Sequence, residues 1–181
     1  MFVQTQATPN PNSLKFLPGK TVSKIGPYEV KKKNDVNNNL LKNIFSINGV
    51  ASIFLGEDFI SVNKNENADW EDIKHIVISL INEYYQSGKN FVIDKSYDQK
   101  ENTESLIEIE KQIINILETK IRPAVARDGG DIKFEEFKDG VVKVKLQGSC
   151  SGCPSSTMTL KQGVQNLLCH YIPDVKEVIA T

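Results

Sequence analysis

The sequence predicts an α+β protein made of two small α/β domains, and three observations carry that expectation. Two strongly amphipathic helical stretches, one after Asp69 and one ending near Ile121, divide the chain. Between them Asp94-Lys95-Ser96-Tyr97-Asp98-Gln99-Lys100-Glu101 is polar and aperiodic, the character of a linker. Short strand-like runs bounded by turn residues flank both helices. The expected units are an N-terminal sheet-plus-helices domain over 1–93, a linker over 94–101, and a C-terminal α-β-β-α-β domain over 102–181. A chain of 181 residues suits two such units.

In the N-terminal unit, residues 2–6 and 13–17 read as strands around the turn-forming Thr8-Pro9-Asn10-Pro11-Asn12. Leu40, Leu41, Ile44 and Phe45 mark a short helix. Residues 50–55 and 59–63 form a hairpin pattern around Gly56-Glu57-Asp58. A helix follows, with Asp69 as N-cap, Gly88 as stop, and Ile73, Ile76, Val77, Leu80, Ile81 and Tyr84 on its buried face. Residues 19–33 show no assignable pattern.

In the C-terminal unit, a helix is expected from about Thr103 to Ile121, with Leu106, Ile109, Ile113, Ile116 and Leu117 facing the core. Pro123 should end or kink it. Asp128-Gly129-Gly130-Asp131 reads as a helix stop and a turn. Strands over 132–137 and 141–146 flank Asp139-Gly140, a strong hairpin signal. A helix from about Pro154 to Tyr171 would bury Leu160, Val164, Leu167, Leu168 and Tyr171, and a last strand covers 175–179. A helix crossing from the second strand to the third makes those two strands parallel.

Composition narrows the function. Net charge is −1 and no basic stripe is present; Lys31-Lys32-Lys33 reads as a solvated loop. Nucleic-acid binding, which needs clustered cations, is therefore not expected. No apolar run approaches the roughly 18–20 residues of a membrane span. The first residues lack the basic start and apolar core of a signal peptide and the Arg-rich character of a transit peptide. The expected compartment is the cytoplasm, or the mitochondrial matrix if a leader has been removed.

The chain has three cysteines, Cys150, Cys153 and Cys169, too few and too odd for a disulfide framework. Cys150 and Cys153 lie in Gln147-Gly148-Ser149-Cys150-Ser151-Gly152-Cys153-Pro154-Ser155-Ser156, between a strand and a helix start. Free N–H groups and partial positive charge at a helix N-terminus stabilise thiolates and anionic ligands. Gly148 and Gly152 allow close backbone approach to a bulky ligand. A bare Cys-x-x-Cys is a weak signal with several readings. Incidental thiols usually sit in cores, not in Gly/Ser loops. Intrachain zinc needs four ligands. Cys169 and His170 lie about fifteen residues past the helix start, roughly 22 Å away along its axis, and cannot share a metal with the pair. His75 belongs to the other domain and reads as structural. A thioredoxin-type dithiol and a soft-metal chaperone both place such a pair before a helix. An iron–sulfur cluster takes four thiolates, which two chains would supply together at a symmetry axis.

With these residues in view, the chain resembles the Nfu family of NifU-like iron–sulfur proteins over nearly its whole length. The resemblance runs through Ile121-Arg122-Pro123, Asp128-Gly129-Gly130-Asp131, and Leu146-Gln147-Gly148-Ser149-Cys150 to Cys153-Pro154-Ser155-Ser156. It continues in Leu160-Lys161-Gln162-Gly163 and Tyr171-Ile172-Pro173. In the N-terminal unit it covers Thr8-Pro9-Asn10-Pro11-Asn12-Ser13-Leu14-Lys15-Phe16, Gly49-Val50, Asp58-Phe59-Ile60 and Asp69-Trp70. It implies a non-enzymatic carrier holding a [4Fe–4S] cluster, in preference to [2Fe–2S], on Cys150 and Cys153 of two subunits. Upstream assembly proteins would supply the cluster and apo iron–sulfur proteins would receive it, with a homodimer or larger assembly forming on cluster binding. The family motif does not include Cys169. Trp70 reads as packing, or as a docking aromatic if exposed. A copper-type chaperone and a thiol oxidoreductase remain the alternatives.

Overall fold

Strict alternation of side chains builds the first sheet, and it leaves that sheet with two very different faces. In this computed structural model, which describes residues 2–94, 107–152 and 154–181, the N-terminal unit contains β1 (Gln4–Ala7), β2 (Ser13–Leu17), β3 (Tyr28–Val30), α1 (Asn39–Phe45), β4 (Val50–Leu55), β5 (Ile60–Lys64) and α2 (Trp70–Gln86). The strands run in the order β1-β2-β5-β4-β3, every pair antiparallel. The register sets Phe16 against Ile60 and Leu14 against Val62, apolar pairs that turn toward the helices. It sets Lys15 against Ser61 and Ser13 against Asn63 on the opposite face.

Helices α1 and α2 close the apolar face. Asn38 caps α1 by accepting from the Leu41 N–H, and Asp69 caps α2 by accepting from the Glu71 N–H, as its sequence position predicts. The buried line of α2 is Ile73, Val77, Ile81 and Tyr85, at i, i+4 spacing. This corrects the expected face in two places: Ile76 is 47% exposed, while Tyr85 is buried. The stripe in contact with the sheet is narrower than the apolar content of the helix. Strand β1 starts later than expected, with Phe2 exposed. The unassigned stretch contains β3, an edge strand on β4.

The second unit contains α3 (Glu108–Ile116), a π-helical turn (Leu117–Ile121), α4 (Arg122–Arg127), β6 (Gly130–Lys138), β7 (Val141–Gly148), α5 (Pro154–Tyr171) and β8 (Glu177–Ala180). Leu106 and the expected start of the first helix, like the linker beyond Asp94, lie outside the described residues. The helix does not stop at Pro123. The wider π turn shifts the hydrogen-bond register just before the proline, and the helix resumes as α4. Asp139 and Gly140 both take positive φ, the turn that matches the twist of a two-residue hairpin. Strand β8 pairs with β7 in parallel, as the crossover helix requires. The core gathers Ile113, Leu117, Ile132, Val144, Leu168 and Val178. Tyr171, expected in this core, is 49% exposed; Ile172 is buried instead, its N–H bonded to the Leu168 carbonyl as the chain leaves the helix.

The two units meet along the polar face of the first sheet. Strands β4 and β5 lie against β7. Ser13, Lys15, Phe54 and Ser61 are all buried there although none belongs to either hydrophobic core.

Candidate functional site: the cysteine loop and its cover

Strand β7 ends at Gly148, which takes φ +68 and turns the chain into the loop that carries Cys150. Ser151 fastens this turn by donating to the Gly148 carbonyl through both its N–H and its hydroxyl. Thr157, in the first turns of α5, donates from Oγ1 to the Cys150 carbonyl at 3.1 Å. The loop is thus tied to the start of α5, where free N–H groups and the helix dipole favour a thiolate. Cys150 is 6% exposed and is not disulfide-bonded. Cys153 lies outside the described residues. Cys169 sits near the far end of α5, half-buried against the second core. Among the described residues, no three His, Cys, Asp or Glu side chains gather as a metal site. His75 is exposed on α2.

The block from Asp128 to Asp131 forms the second wall. Asp128 ends α4, Gly129 takes φ +80, and β6 begins at Gly130 beside Gly148. The helix stop and turn expected there are present, and the glycines have a further reason. A Cβ at Gly130 would stand 2.7 Å from Cys150 Sγ and 2.7 Å from the Gln147 carbonyl oxygen. One at Gly129 would stand 2.6 Å from Ser61 Oγ. The Ser149 hydroxyl donates to the Asp128 carbonyl, and the Ser149 N–H donates to that of Gly129. Asp131 is held by a two-pronged pair with Arg122, Nε to Oδ1 at 2.8 Å and Nη2 to Oδ2 at 3.0 Å. This pair locks the entry of β6 to α4.

A cavity of about 510 Å³ opens beside Cys150. Ala124 and Val125 of α4 and Leu160 and Val164 of α5 line it, and Pro9 and Asn10 from the N-terminal unit stand at its edge.

The N-terminal sheet reads this loop through its backbone. Asn10 Nδ2 donates to the Ser149 carbonyl at 2.9 Å, and Asn63 Nδ2 to that of Gly148 at 3.0 Å. Ser61 Oγ donates to the Gly129 carbonyl at 2.8 Å. Lys15 Nζ reaches the carbonyls of Ala126 and Arg127 at 3.1 and 3.4 Å and lies over the Phe59 ring. Burial lowers the Lys15 pKa below its ordinary value, partly opposed by the charges of Asp58 and Asp128. In the other direction, the Gly148 N–H donates to Glu29 Oε1 at 3.0 Å. Sequence reasoning missed Lys15, Glu29, Ser61 and Asn63. A polar residue at every second strand position reads as a solvated face, and only the second unit's position reveals otherwise. Trp70, expected to pack, donates from Nε1 to the Pro11 carbonyl and steadies the 8–12 loop.

Together these features define a class: a two-unit protein that sets a cysteine loop at the start of a helix, with a second domain seated on that loop. Known families agree. The NifU-like domain matches residues 113–179, and the N-terminal domain of scaffold protein Nfu/NifU matches residues 3–88. The NFU1 iron-sulfur cluster scaffold homolog of Homo sapiens, a mitochondrial protein, is 44% identical over 180 residues. That alignment covers 98% of this chain and 71% of the human protein. NifU-like protein 4 of Arabidopsis thaliana, also mitochondrial, is 42% identical over 184 residues, covering 98% of this chain and 65% of its own. A solution structure of a NifU-like protein from Saccharomyces cerevisiae superposes with TM-score 0.48 at 30% identity, over 53% of this chain and 87% of that one. The chain therefore belongs to the NifU-like (Nfu) family. It spans about two thirds of the length of these curated relatives.

Proposed function

We propose that this protein is an iron–sulfur cluster scaffold and carrier, with a [4Fe–4S] cluster as its cargo rather than a resident cofactor. The observation that carries the reading is Cys150. It is a thiol outside any disulfide, in a glycine-turned loop tied to the start of a helix, three residues ahead of Cys153 in sequence. One chain supplies two thiolates in this loop and a cluster takes four, so two chains complete one site. Cys169 is held at the other end of α5 and takes no part. The name of the human relative, an iron-sulfur cluster scaffold homolog, supports the cluster over other soft-metal cargo.

Delivery proceeds by thiolate exchange and is not enzymatic. Each iron–sulfur bond to Cys150 or Cys153 breaks as a bond to a recipient thiolate forms, and the cluster is never released. Recipients are apo iron–sulfur proteins, and upstream assembly proteins load the carrier. The chain divides into an N-terminal domain over 1–93, a linker over 94–101 and a cluster-binding domain over 102–181. A low, odd number of cysteines fits a reducing compartment, the cytoplasm or the mitochondrial matrix. Among the described residues no helix is long and apolar enough to cross a membrane.

The test is anaerobic reconstitution of single-cysteine variants, read by iron and acid-labile sulfide. Cys150→Ala and Cys153→Ala are expected to lose the cluster, and Cys169→Ala to keep it. Loss in Cys169→Ala would overturn the ligand assignment. Copper or zinc in place of iron in freshly purified protein would favour a soft-metal chaperone, and disulfide reductase activity a thiol oxidoreductase.

A further inference from the structure

We infer that the polar face of the N-terminal sheet is a reversible cover for the cysteine loop, which must lift before a second chain can share a cluster with Cys150. This rests on the two-chain reading above and goes beyond it.

Two observations carry the inference. The first is the mode of contact. Asn10, Lys15, Ser61 and Asn63 all donate to main-chain carbonyls, those of Ser149, Ala126, Arg127, Gly129 and Gly148. Glu29 accepts the Gly148 N–H. The face therefore recognises the backbone of this glycine loop, and its partner is the loop itself. The contacts come from three strands and the 8–12 loop, and they surround the segment that a second subunit's loop would have to face. Ser149 is 2% exposed; Cys150, the next residue, is 6% exposed and packs in the second core. Sheet and second subunit compete for the same place.

The second observation is the finish of the contact. Of the buried side-chain polar atoms without a hydrogen-bond partner among the described residues, Ser13 Oγ and Asn63 Oδ1 on the sheet and Gln147 Oε1 on the facing strand β7 lie at this contact, and Asn82 Oδ1 lies on α2. Each atom at the contact is costly in a permanent interior and regains water when the surfaces part. The apolar cores show the opposite. Each domain has its own cluster of buried apolar residues, and neither shares its members with the other. The domains can part with both clusters otherwise intact, exposing Phe54 between them and the loop that carries Cys150, so opening is less costly than unfolding.

Asn63→Asp and Asn10→Asp test the cover on separate elements. Each keeps the side-chain shape and its local bonds. A carboxylate at position 63 can accept from the Ser52 hydroxyl, to which Asn63 now donates, and one at position 10 can still accept from the Asn12 N–H. Each turns a donor into a carboxylate oxygen facing a carbonyl, at Gly148 or Ser149. In the full chain without cluster, each variant is expected to raise the rate of Cys150 alkylation about tenfold, the effect of one lost buried hydrogen bond. Cys169, mapped in the same digest, should keep its rate. An unchanged Cys150 rate in both variants, with unfolding curves showing both folded, overturns the cover. A second arm places fluorescent labels at positions 74 and 133, one per domain, on keto-bearing unnatural residues substituted for Lys74 and Lys133, which leaves Cys150 and Cys153 unmodified. Reconstitution is expected to separate them; a cluster that loads with the labels at their original distance overturns lifting while leaving the cluster reading intact. Faster alkylation together with no cluster in any preparation would instead keep the cover and refute the cluster reading.

Discussion

Gly130→Ala probes the wall of the cysteine loop with a single methyl group. Gly130 begins β6, directly across from Gly148, and its backbone is ordinary, so alanine meets no φ strain there. The obstacle is space. The new Cβ would stand 2.7 Å from the Gln147 carbonyl oxygen and 2.7 Å from Cys150 Sγ, with Cys150 Cβ at 3.2 Å. The thiol can rotate away; the carbonyl belongs to the paired strand and cannot move without disturbing the ladder. Overpacking of this kind costs about 1–3 kcal/mol. Urea unfolding of the full chain should show that loss as a lower midpoint with unchanged slope. Gly163→Ala is the matched control. Gly163 lies inside α5 with nothing near its missing Cβ, so alanine there should stabilise by about 0.5–1 kcal/mol. If Gly130→Ala unfolds at the wild-type midpoint, the close packing of β6, β7 and Cys150 is not as described, and the reason for a glycine at 130 fails.

Two further outcomes follow from the geometry. Asp131→Ala removes the buried acceptor of Arg122; since Arg122 is 29% exposed and also lies near Glu118, the loss should reach about 2 kcal/mol rather than the value for a fully buried pair, measured by the same unfolding curves. Burial raises the Tyr85 phenol above its ordinary value of 10.0, while its hydroxyl donates to the Thr21 carbonyl. The neutral form is thus the one the fold holds, and the unfolded chain loses its proton first. Stability is fully present below about pH 10 and falls as pH rises above it. Tyr85→Phe should cost about 1 kcal/mol at neutral pH and flatten that alkaline fall, and an equal fall in both proteins would refute the assignment.

Much of the fold was legible because its elements carry local signals. Asp69 is a capping residue in sequence and in fact. Asp139-Gly140 demanded a hairpin, and the crossover helix demanded a parallel β8. The errors lie where tertiary contact decides. Tyr171 and Ile76 have the right periodicity but stand at the edges of their stripes. Pro123 is accommodated because a π turn precedes it, and nothing in the residues 117–121 announces one. The cysteine loop was legible through its motif, whereas its cover was not. Ser61 and Asn63 are ordinary solvent-side strand residues until another domain lies over them, and the glycines at 129 and 148 gain their full meaning only from Ser61 and Phe54 nearby.

One cluster shared by two chains is the claim on which the rest of the mechanism depends. Native mass spectrometry of anaerobically reconstituted protein, with iron and sulfide measured on the same sample, decides it. The expected species is a dimer carrying about four irons and four sulfides in all. A monomer that stably holds a whole cluster would contradict it.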